Sequence, residues 1–395
     1  MSSVVPSHPL QLEVVPCESD TGETVSGLGL PNELVRQWSR FAAPLERTVL
    51  VARSAGQVVG AAVVVRRHLS AYVKVGGLWS EPCAEHPELI EAALLSALEE
   101  LARQQGAVVV KREFGDGRPD GTGNSGSPDG IGGMHSAGGA NGTDGYALVP
   151  APAVPGPMPD AWRGHLAPAG LFRWEMAGRA AAVPYMRQTT DFTCGPATLL
   201  MALSYYGLHP APDRATEIAL WREATTVGGC DPYGLAVAAA RRGLAVALTV
   251  TTDGFFLLEG LESEQQREVR TYIQTGFRKQ AADAGITVEH RQIDASHVRD
   301  IVESGRLAIV LIDEEPFHKE TCPHWILVHS FADGVFVAHD PWTQVSAGES
   351  WPDAYDLPIR PRDLERIAAY GDPAYGAVLA VGPGRPPPAG SCSGS

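Results

Sequence analysis

A cysteine at position 194 stands in a setting that could make it a nucleophile. Gln188 precedes it by six residues, and Gly195 and Pro196 follow it at the start of an apolar run. We predict that this run forms a helix whose first turn holds the Cys194 thiol. The positive end of the helix dipole favours the thiolate, which is the form that attacks a carbonyl carbon. These residues indicate acyl-transfer chemistry through a thioester on Cys194.

Gln188 could stabilise the oxyanion that such a reaction forms. Thioester chemistry needs hydrogen-bond donors that are already in place when charge develops on the carbonyl oxygen. If the loop 188–194 folds back, the side-chain amide of Gln188 and the backbone N–H of Cys194 can converge. A lone cysteine is more often an ordinary core residue. Its combination with Gln188 and a helix start favours the catalytic interpretation.

A histidine and an aspartate downstream could complete the site. His324 begins a β-rich run, Asp340 ends the next one, and the Asp333-Gly334 pair between them predicts a hairpin turn. An antiparallel hairpin places the start of its first strand beside the end of its second, so the two side chains can be neighbours. A carboxylate on one imidazole nitrogen leaves the other for the thiol. His329 is the alternative base, but it would lie near the turn.

Four further residues are candidates for contacts with a substrate. Gly195 would let a substrate backbone approach the thiol, and Trp325 adjoins the proposed base. Gly229 and Asp231 belong to a glycine-rich loop before a predicted helix, which either borders a cleft or is a plain turn. We expect no metal or other cofactor, because Cys322 has no Cys-x2-Cys partner and zinc would consume the base.

Composition restricts the partners. The chain has 395 residues, a net charge of −15 and a pI of about 5.2, which argues against nucleic acid or an anionic membrane. No apolar run reaches about 18 residues, and no secretory signal is visible, so we expect no membrane span. The six scattered cysteines predict free thiols and a reducing, cytoplasmic location. A peptide or small amide is the expected partner, and the oligomeric state stays open.

A glycine-rich stretch divides the chain. Residues 115–160, rich first in glycine and then in proline, predict a flexible linker between units at 1–114 and 180–382. Residues 383–395 predict a disordered tail. The larger unit has predicted helices followed by a run of strands, which is an α+β layout.

The smaller, N-terminal unit resembles the GNAT acetyltransferases. A hairpin over 48–66, a strand over 72–79, a helix beginning at Pro87 and a strand over 107–111 follow one another in the order of that fold. That family binds the acetyl-CoA pyrophosphate on a glycine-containing turn before this helix. Here the turn 80–87 has no glycine and two acidic residues, which would repel a pyrophosphate. The resemblance therefore implies a degenerate GNAT-like α/β scaffold.

The larger unit resembles the bacteriocin-processing (double-glycine leader) peptidases of the papain-like clan. The resemblance covers about 183–345 and rests on three motifs, which are Gln188-x5-Cys194-Gly195-Pro196-Ala197, Pro323-His324-Trp325-Ile326-Leu327-Val328 and His339-Asp340-Pro341-Trp342. It implies a papain-like fold and four functions, namely the nucleophile Cys194, the general base and acid His324, the orienting Asp340 and the oxyanion donor Gln188. The ABC-transporter parts that accompany many leader peptidases are not in this sequence. The resemblance therefore implies the cysteine-peptidase chemistry rather than a function in bacteriocin processing.

Three functions agree with these residues. The favoured one is a cysteine-dependent peptidase or amidase that passes the acyl group of the Cys194 thioester to water. The second is an acyltransferase that passes it to an amine in a biosynthetic pathway. The third is a non-catalytic peptide-binding protein. Hydrolysis and aminolysis differ in how well the cleft excludes water, which the sequence does not show.

Overall fold

Two mixed seven-stranded sheets with helices packed against them form the protein, which confirms the α+β class. The computed structural model describes residues 9–17, 20–84, 86–113, 147–150, 169–174, 181–226, 228–258, 261 and 263–384. Most of the predicted linker 115–160 and nearly all of the predicted tail lie outside the described residues. No helix in the described part of the chain is long and apolar enough to cross a membrane.

The first sheet belongs to the N-terminal half. Its strands are β1 (Gln11–Pro16), β2 (Glu46–Ser54), β3 (Gln57–Arg66), β4 (Tyr72–Ser80), β5 (Val109–Glu113), β6 (Ala147–Pro150) and β7 (Ala169–Trp174). They lie in the order β1-β2-β3-β4-β5-β7-β6, and only β4 and β5 are parallel neighbours. Its helices are α1 (Thr21–Gly27), α2 (Asn32–Trp38) and α3 (Pro87–Gln104). Helix α3 packs on one face of the sheet, and α1 and α2 pack on the other.

Local patterns in this half were interpreted correctly. The predicted hairpin is β2 and β3, and its turn residues Ala55 and Gly56 have φ of 50° and 79°, as a tight hairpin turn requires. The predicted helix α3 buries Ile90, Leu94 and Leu98 on one stripe. Strands β6 and β7 were not predicted, because they pair with β5 and each other across long sequence separations.

The second sheet belongs to the C-terminal half. Its strands are β8 (Leu244–Val250), β9 (Thr287–His290), β10 (Leu307–Asp313), β11 (Pro323–Ala332), β12 (Val335–His339), β13 (Leu357–Ile359) and β14 (Ala377–Pro383). They lie in the order β13-β12-β11-β10-β14-β8-β9, with only β8 and β9 parallel. The predicted hairpin is β11 and β12, with Asp333 and Gly334 at positive φ in its turn.

Helices surround this sheet and one of them crosses the core. They are α4 (Cys194–Tyr205), α5 (Arg214–Ala224), α6 (Pro232–Arg241), α7 (Glu264–Asp283), α8 (Ala295–Glu303), α9 (Glu315–His318), α10 (Trp351–Ala354) and α11 (Pro361–Ile367), with a 3-10 turn at Val345–Ala347. Helix α4 is buried from Cys194 to Leu203. A helix that is apolar on all sides belongs inside a core, so the start of α4 is held rigidly.

Buried charges join the two halves. Lys74 on β4 and Lys111 on β5 are paired in register and both are fully buried. Two cations opposite each other destabilise a strand pair unless they are neutralised. Lys74 Nζ donates to the Asp353 carboxylate of α10, and Lys111 Nζ donates to the carbonyl oxygens of Pro352 and Tyr355, each at 2.7 Å. The N-terminal sheet is thus bonded to α10 of the C-terminal half.

We predict that Lys74→Met lowers the free energy of unfolding by about 3–5 kcal/mol, since it leaves the Asp353 carboxylate buried without its cation. Adding Asp353→Asn should recover part of the loss. Lys279→Met, which breaks an exposed ion pair with Asp283, should leave stability nearly unchanged. Urea unfolding followed by circular dichroism measures all three. Equal midpoints for the Lys74 and Lys279 single variants would contradict a stabilising interface charge.

Candidate active site

Cys194 is the first residue of α4, as predicted, and it is 6% exposed. Thr193 occupies the N-cap position, but its hydroxyl does not cap the helix. It bonds instead to the carboxylate of Glu217 on α5. A tertiary contact therefore takes the place of a capping bond, because a buried carboxylate is a strong acceptor.

Glu217 holds the loop that leads into Cys194, and sequence analysis missed it. Its carboxylate accepts from the backbone N–H of Thr189 at 2.8 Å, from the Thr189 hydroxyl and from the Thr193 hydroxyl. The side chain is fully buried, and burial raises the pKa of Glu217. In the sequence, Glu217 is only an acidic residue in the first turn of a helix, so no local signal distinguishes it.

Gln188 lies where the two loops of the site meet. Its backbone N–H donates to the carbonyl oxygen of Pro341 at 2.9 Å, and its Nε2 donates to the carbonyl oxygen of Thr190 at 2.8 Å. These bonds fix the start of the loop, and convergence of the Gln188 amide with the backbone N–H of Cys194 stays a prediction. Nε2 carries two hydrogens, and the bond to Thr190 uses one of them.

His324 and Asp340 are in direct contact. His324 Nε2 lies 2.7 Å from Asp340 Oδ1, and both side chains are buried. Cys194 is close enough to His324 to contribute, as a hydrogen-bond partner, to the raised pKa of the imidazole. Since Nε2 faces Asp340, Nδ1 is the nitrogen that faces the thiol, and Glu314 Oε2 lies 3.5 Å from it.

The site favours an ionised histidine. Burial lowers the pKa of His324, but the charges of Glu314 and Asp340 and the bonds to Asp340 and Cys194 raise it well above its ordinary value. An imidazolium next to a thiol stabilises the thiolate. His324 is therefore positioned as the partner of Cys194.

His329, the alternative base, lies in a different cluster. Its Nε2 is 3.1 Å from Asp356 Oδ1, and its ring centroid is 4.6 Å from that of His339. His339 Nε2 in turn lies 2.9 Å from the carbonyl oxygen of Val183. These contacts direct both histidines away from the Cys194 thiol.

Asp340 is held ionised by its surroundings. Oδ1 accepts from His324 and from the backbone N–H of Trp342 at 2.8 Å, and Oδ2 accepts from Nη1 of Arg67. Burial raises the pKa of Asp340, but the charges of His324 and Arg67 outweigh it and hold the pKa at about 2. A permanent carboxylate fixes the tautomer and orientation of the imidazole.

Arg67 comes from the N-terminal half and was not predicted as a site residue. It follows β3 directly, is fully buried, and uses Nε and Nη2 to bond both oxygens of Glu349 at 2.9 and 2.8 Å. Glu349 also faces Nε2 of His318 at 3.0 Å, and Nδ1 of His318 contacts Glu314. Glu314 and Asp340 both reach His324, so these contacts close into a ring of six charged groups.

The predicted substrate-binding residues have packing and capping contacts. Gly195 is buried, and a Cβ there would lie 3.2 Å from Trp325 Cδ1 and 3.3 Å from Cys230 Cβ. Trp325 itself is 2% exposed. Asp231 caps α6 by accepting two backbone N–H bonds at 2.8 and 3.0 Å, and burial raises its pKa to about 7. Gly229 accepts one backbone bond within the same loop. Contact of any of the four with a substrate stays a prediction.

The fold and the site define an α+β protein whose C-terminal half presents a thiol beside an ion-paired histidine. A model of the Peptidase_C39 like family matches residues 183–382, which is half of the chain. The chain belongs to this family. No curated protein matches the sequence.

Three solved structures of other proteins are similar to parts of this chain. One is a double glycine motif protease from an AMS/PCAT transporter in complex with the leader peptide, at 14% identity and a TM-score of 0.30, covering 53% of this chain and 96% of that one. Another is a putative C39-like peptidase from Bacillus anthracis, at 13% and 0.30, covering 52% and 96%. A putative acyl-CoA N-acyltransferase from Klebsiella pneumoniae has 15% identity and a TM-score of 0.25, covering 42% and 97%.

We predict that His318 stabilises the fold in a pH-dependent way. Burial lowers the pKa of His318, but Glu349 and Glu314 raise it to about 9. A raised pKa adds stability that is complete below about pH 6.5 and is lost as the pH rises through 9. The difference in unfolding free energy between wild type and His318→Gln should therefore shrink by on the order of 3 kcal/mol from pH 6 to pH 10.

Thermal and urea unfolding at several pH values test this prediction. His290→Gln is the matched control, because His290 pairs with Asp253 on the surface with 44% of its side chain exposed. That variant should follow wild type at every pH. If the free energies of unfolding of wild type and His318→Gln differ by the same amount at every pH, a charged His318 is contradicted.

Proposed function

We propose that the protein is a cysteine-dependent peptidase or amidase that acts through a thioester on Cys194. The observation that carries the proposal is the position of His324, with one nitrogen bonded to Asp340 and the other facing Cys194. Family membership agrees with this chemistry. The proposed substrate is a peptide, or a smaller amide with the same bond.

In the proposed reaction, the Cys194 sulfur attacks the carbonyl carbon of the scissile amide. Two groups donate hydrogen bonds to the oxyanion, namely the side-chain amide of Gln188 and the backbone N–H of Cys194. His324 gives its Nδ1 proton to the leaving amine as the C–N bond breaks. It then removes a proton from the water that attacks the thioester, which releases the acid and restores the thiol–histidine pair. Asp340 stays ionised throughout and holds the imidazole in place.

A second function differs only in the acceptor. Cys194 and His324 are only 6% and 5% exposed. A site that admits little water favours an amine as the group that takes the acyl chain. The enzyme would then form an amide rather than an acid, with the same residues in the same order.

We predict selective alkylation of Cys194 by substoichiometric iodoacetamide at pH 6, and loss of that selectivity in His324→Ala. An ordinary thiol is mostly protonated at this pH and reacts slowly. Cys322 is the internal control, because it is exposed to the reagent while partial desolvation and the neighbouring Cys194 raise its pKa to about 11. Peptide mapping by mass spectrometry locates the label. Indiscriminate labelling, or none, would contradict an activated Cys194–His324 pair.

We predict that the full-length protein cleaves members of a proteome-derived peptide library and that Cys194→Ala cleaves none. Gln188→Ala should lower the rate of cleavage by about 10²–10³-fold through the lost oxyanion donor, while Cys194 remains alkylated at pH 6. New peptide termini are read by mass spectrometry, with and without an added primary amine. Products that carry the amine would support acyl transfer, and bound but intact peptides would support the non-catalytic function.

A further inference from the structure

Arg67 stands at the junction of the two halves and of the site. It belongs to the GNAT-like half, 273 residues before Asp340, yet its guanidinium donates to the Asp340 carboxylate. The catalytic half does not supply this contact itself. The side chain is fully buried, so the bond is not exchanged with solvent.

The backbone around Arg67 is built to hold that position. Its N–H donates to the Tyr72 hydroxyl at 3.2 Å, and its carbonyl oxygen accepts from the hydroxyl of Ser70. Ala71, which follows Ser70, donates its N–H to the carbonyl oxygen of Pro358 in the C-terminal half at 2.9 Å. The Tyr72 hydroxyl in turn donates to Asp353 at 2.7 Å. Arg67 is thus placed by contacts to both halves.

The charges of the ring balance only when Arg67 is present. Three carboxylates belong to it, and His318 and His324 both have a pKa raised by those carboxylates, so each bears a positive charge near neutral pH. Arg67 is the third cation. Without it, Asp340 and Glu349 would be two buried carboxylates sharing two imidazolium groups with Glu314, and the excess negative charge would oppose a thiolate at Cys194.

The geometry of the guanidinium is as important as its charge. Arg67 donates two parallel hydrogen bonds to Glu349 and a third to Asp340. Only a planar group with several N–H donors can do this. The third bond goes to Oδ2, while Oδ1 faces His324. Holding one carboxylate oxygen fixes the direction of the other, so Arg67 controls the orientation of the imidazole through Asp340.

We propose that Arg67 is a positioning residue of the Cys194 site and that the GNAT-like half completes the active site of the C39-like half through it. The proposal rests on the proposed function of Cys194, His324 and Asp340. The simpler interpretation is that Arg67 only holds the halves together, as Lys74 does. Lys74 is buried in the same interface but pairs with Asp353 rather than with Cys194, His324 or Asp340. Replacing Lys74 therefore distinguishes the two interpretations.

The experiment compares two charge-balanced double variants of the full-length protein. Arg67→Met with Glu349→Gln removes the contact to Asp340, and Lys74→Met with Asp353→Asn removes an interface ion pair of the same kind. Replacing both members of a buried pair is commonly tolerated by the fold. The readout is the rate of Cys194 alkylation by iodoacetamide from pH 4 to pH 10, together with circular dichroism of each variant.

The Arg67 pair should lower the maximal rate of alkylation or peptide cleavage by about 10²-fold, the cost of a small misplacement of a catalytic group. The pH of half-maximal alkylation should also shift, because Asp340 keeps its negative charge but loses the bond that fixes its orientation toward His324. The Lys74 pair should remain within about threefold of wild type with an unchanged profile. If the Arg67 pair does not fold, Arg67→Lys is the deciding variant. Its maximal rate should fall by a similar factor, and its pH of half-maximal alkylation should shift less because the charge is kept.

Folded Arg67 variants with wild-type rates and wild-type pH profiles of alkylation would overturn the proposal. An equal loss of rate in the Lys74 pair would also overturn it, because both residues would then serve the interface alone. A wild-type protein whose Cys194 shows no selective alkylation would instead contradict the proposed function. The two failures are therefore distinguishable in one data set.

Discussion

The arrangement of this protein depends on a buried guanidinium shared by two carboxylates. A charge in the protein interior is tolerated only when its partners are close and well oriented, and Arg67 meets this condition with Asp340 on one side and Glu349 on the other. Because Arg67 is carried by the first sheet and both carboxylates by the second half, neither half is electrostatically complete without the other. Arg67, which together with His324 keeps Asp340 ionised, also joins the halves.

The first sheet is adapted to this contact over a wider area. Lys74 and Lys111 project from its two parallel strands onto α10, where a carboxylate and the helix-end carbonyl groups receive them. Cations at the C-terminal end of a helix are favourable, since the carbonyl oxygens there lack partners within the helix. Arg67, Lys74 and Lys111, the last with a pKa that burial lowers to about 7, therefore face an acidic segment of the C39-like half. This is a specific surface, built from charges that would be costly if the halves separated.

The sequence was sufficient where local chemistry dominates. Two tight turns with residues at positive φ, alternating apolar strands and an apolar run opened by Cys194 predicted β2, β3, β11, β12 and α4 correctly. The hairpin register also brought His324 and Asp340 together as expected. Sequence reasoning assigned Gly195 no packing partners, and the structure places it beside Trp325 and Cys230; its contact with a substrate stays a prediction.

The sequence by itself predicted the candidate thiol, histidine and aspartate, since each lies at the end of an element whose pattern is readable over a few residues. Only the tertiary structure decided what surrounds them. Glu217 at the loop, Glu314 beside His324, and Arg67 on Asp340 carry no local signal, and Arg67 is 273 residues from its partner. The physical reason is that the electrostatics of a buried site are set by whichever charges the completed fold brings within a few ångströms, and sequence spacing does not encode that distance.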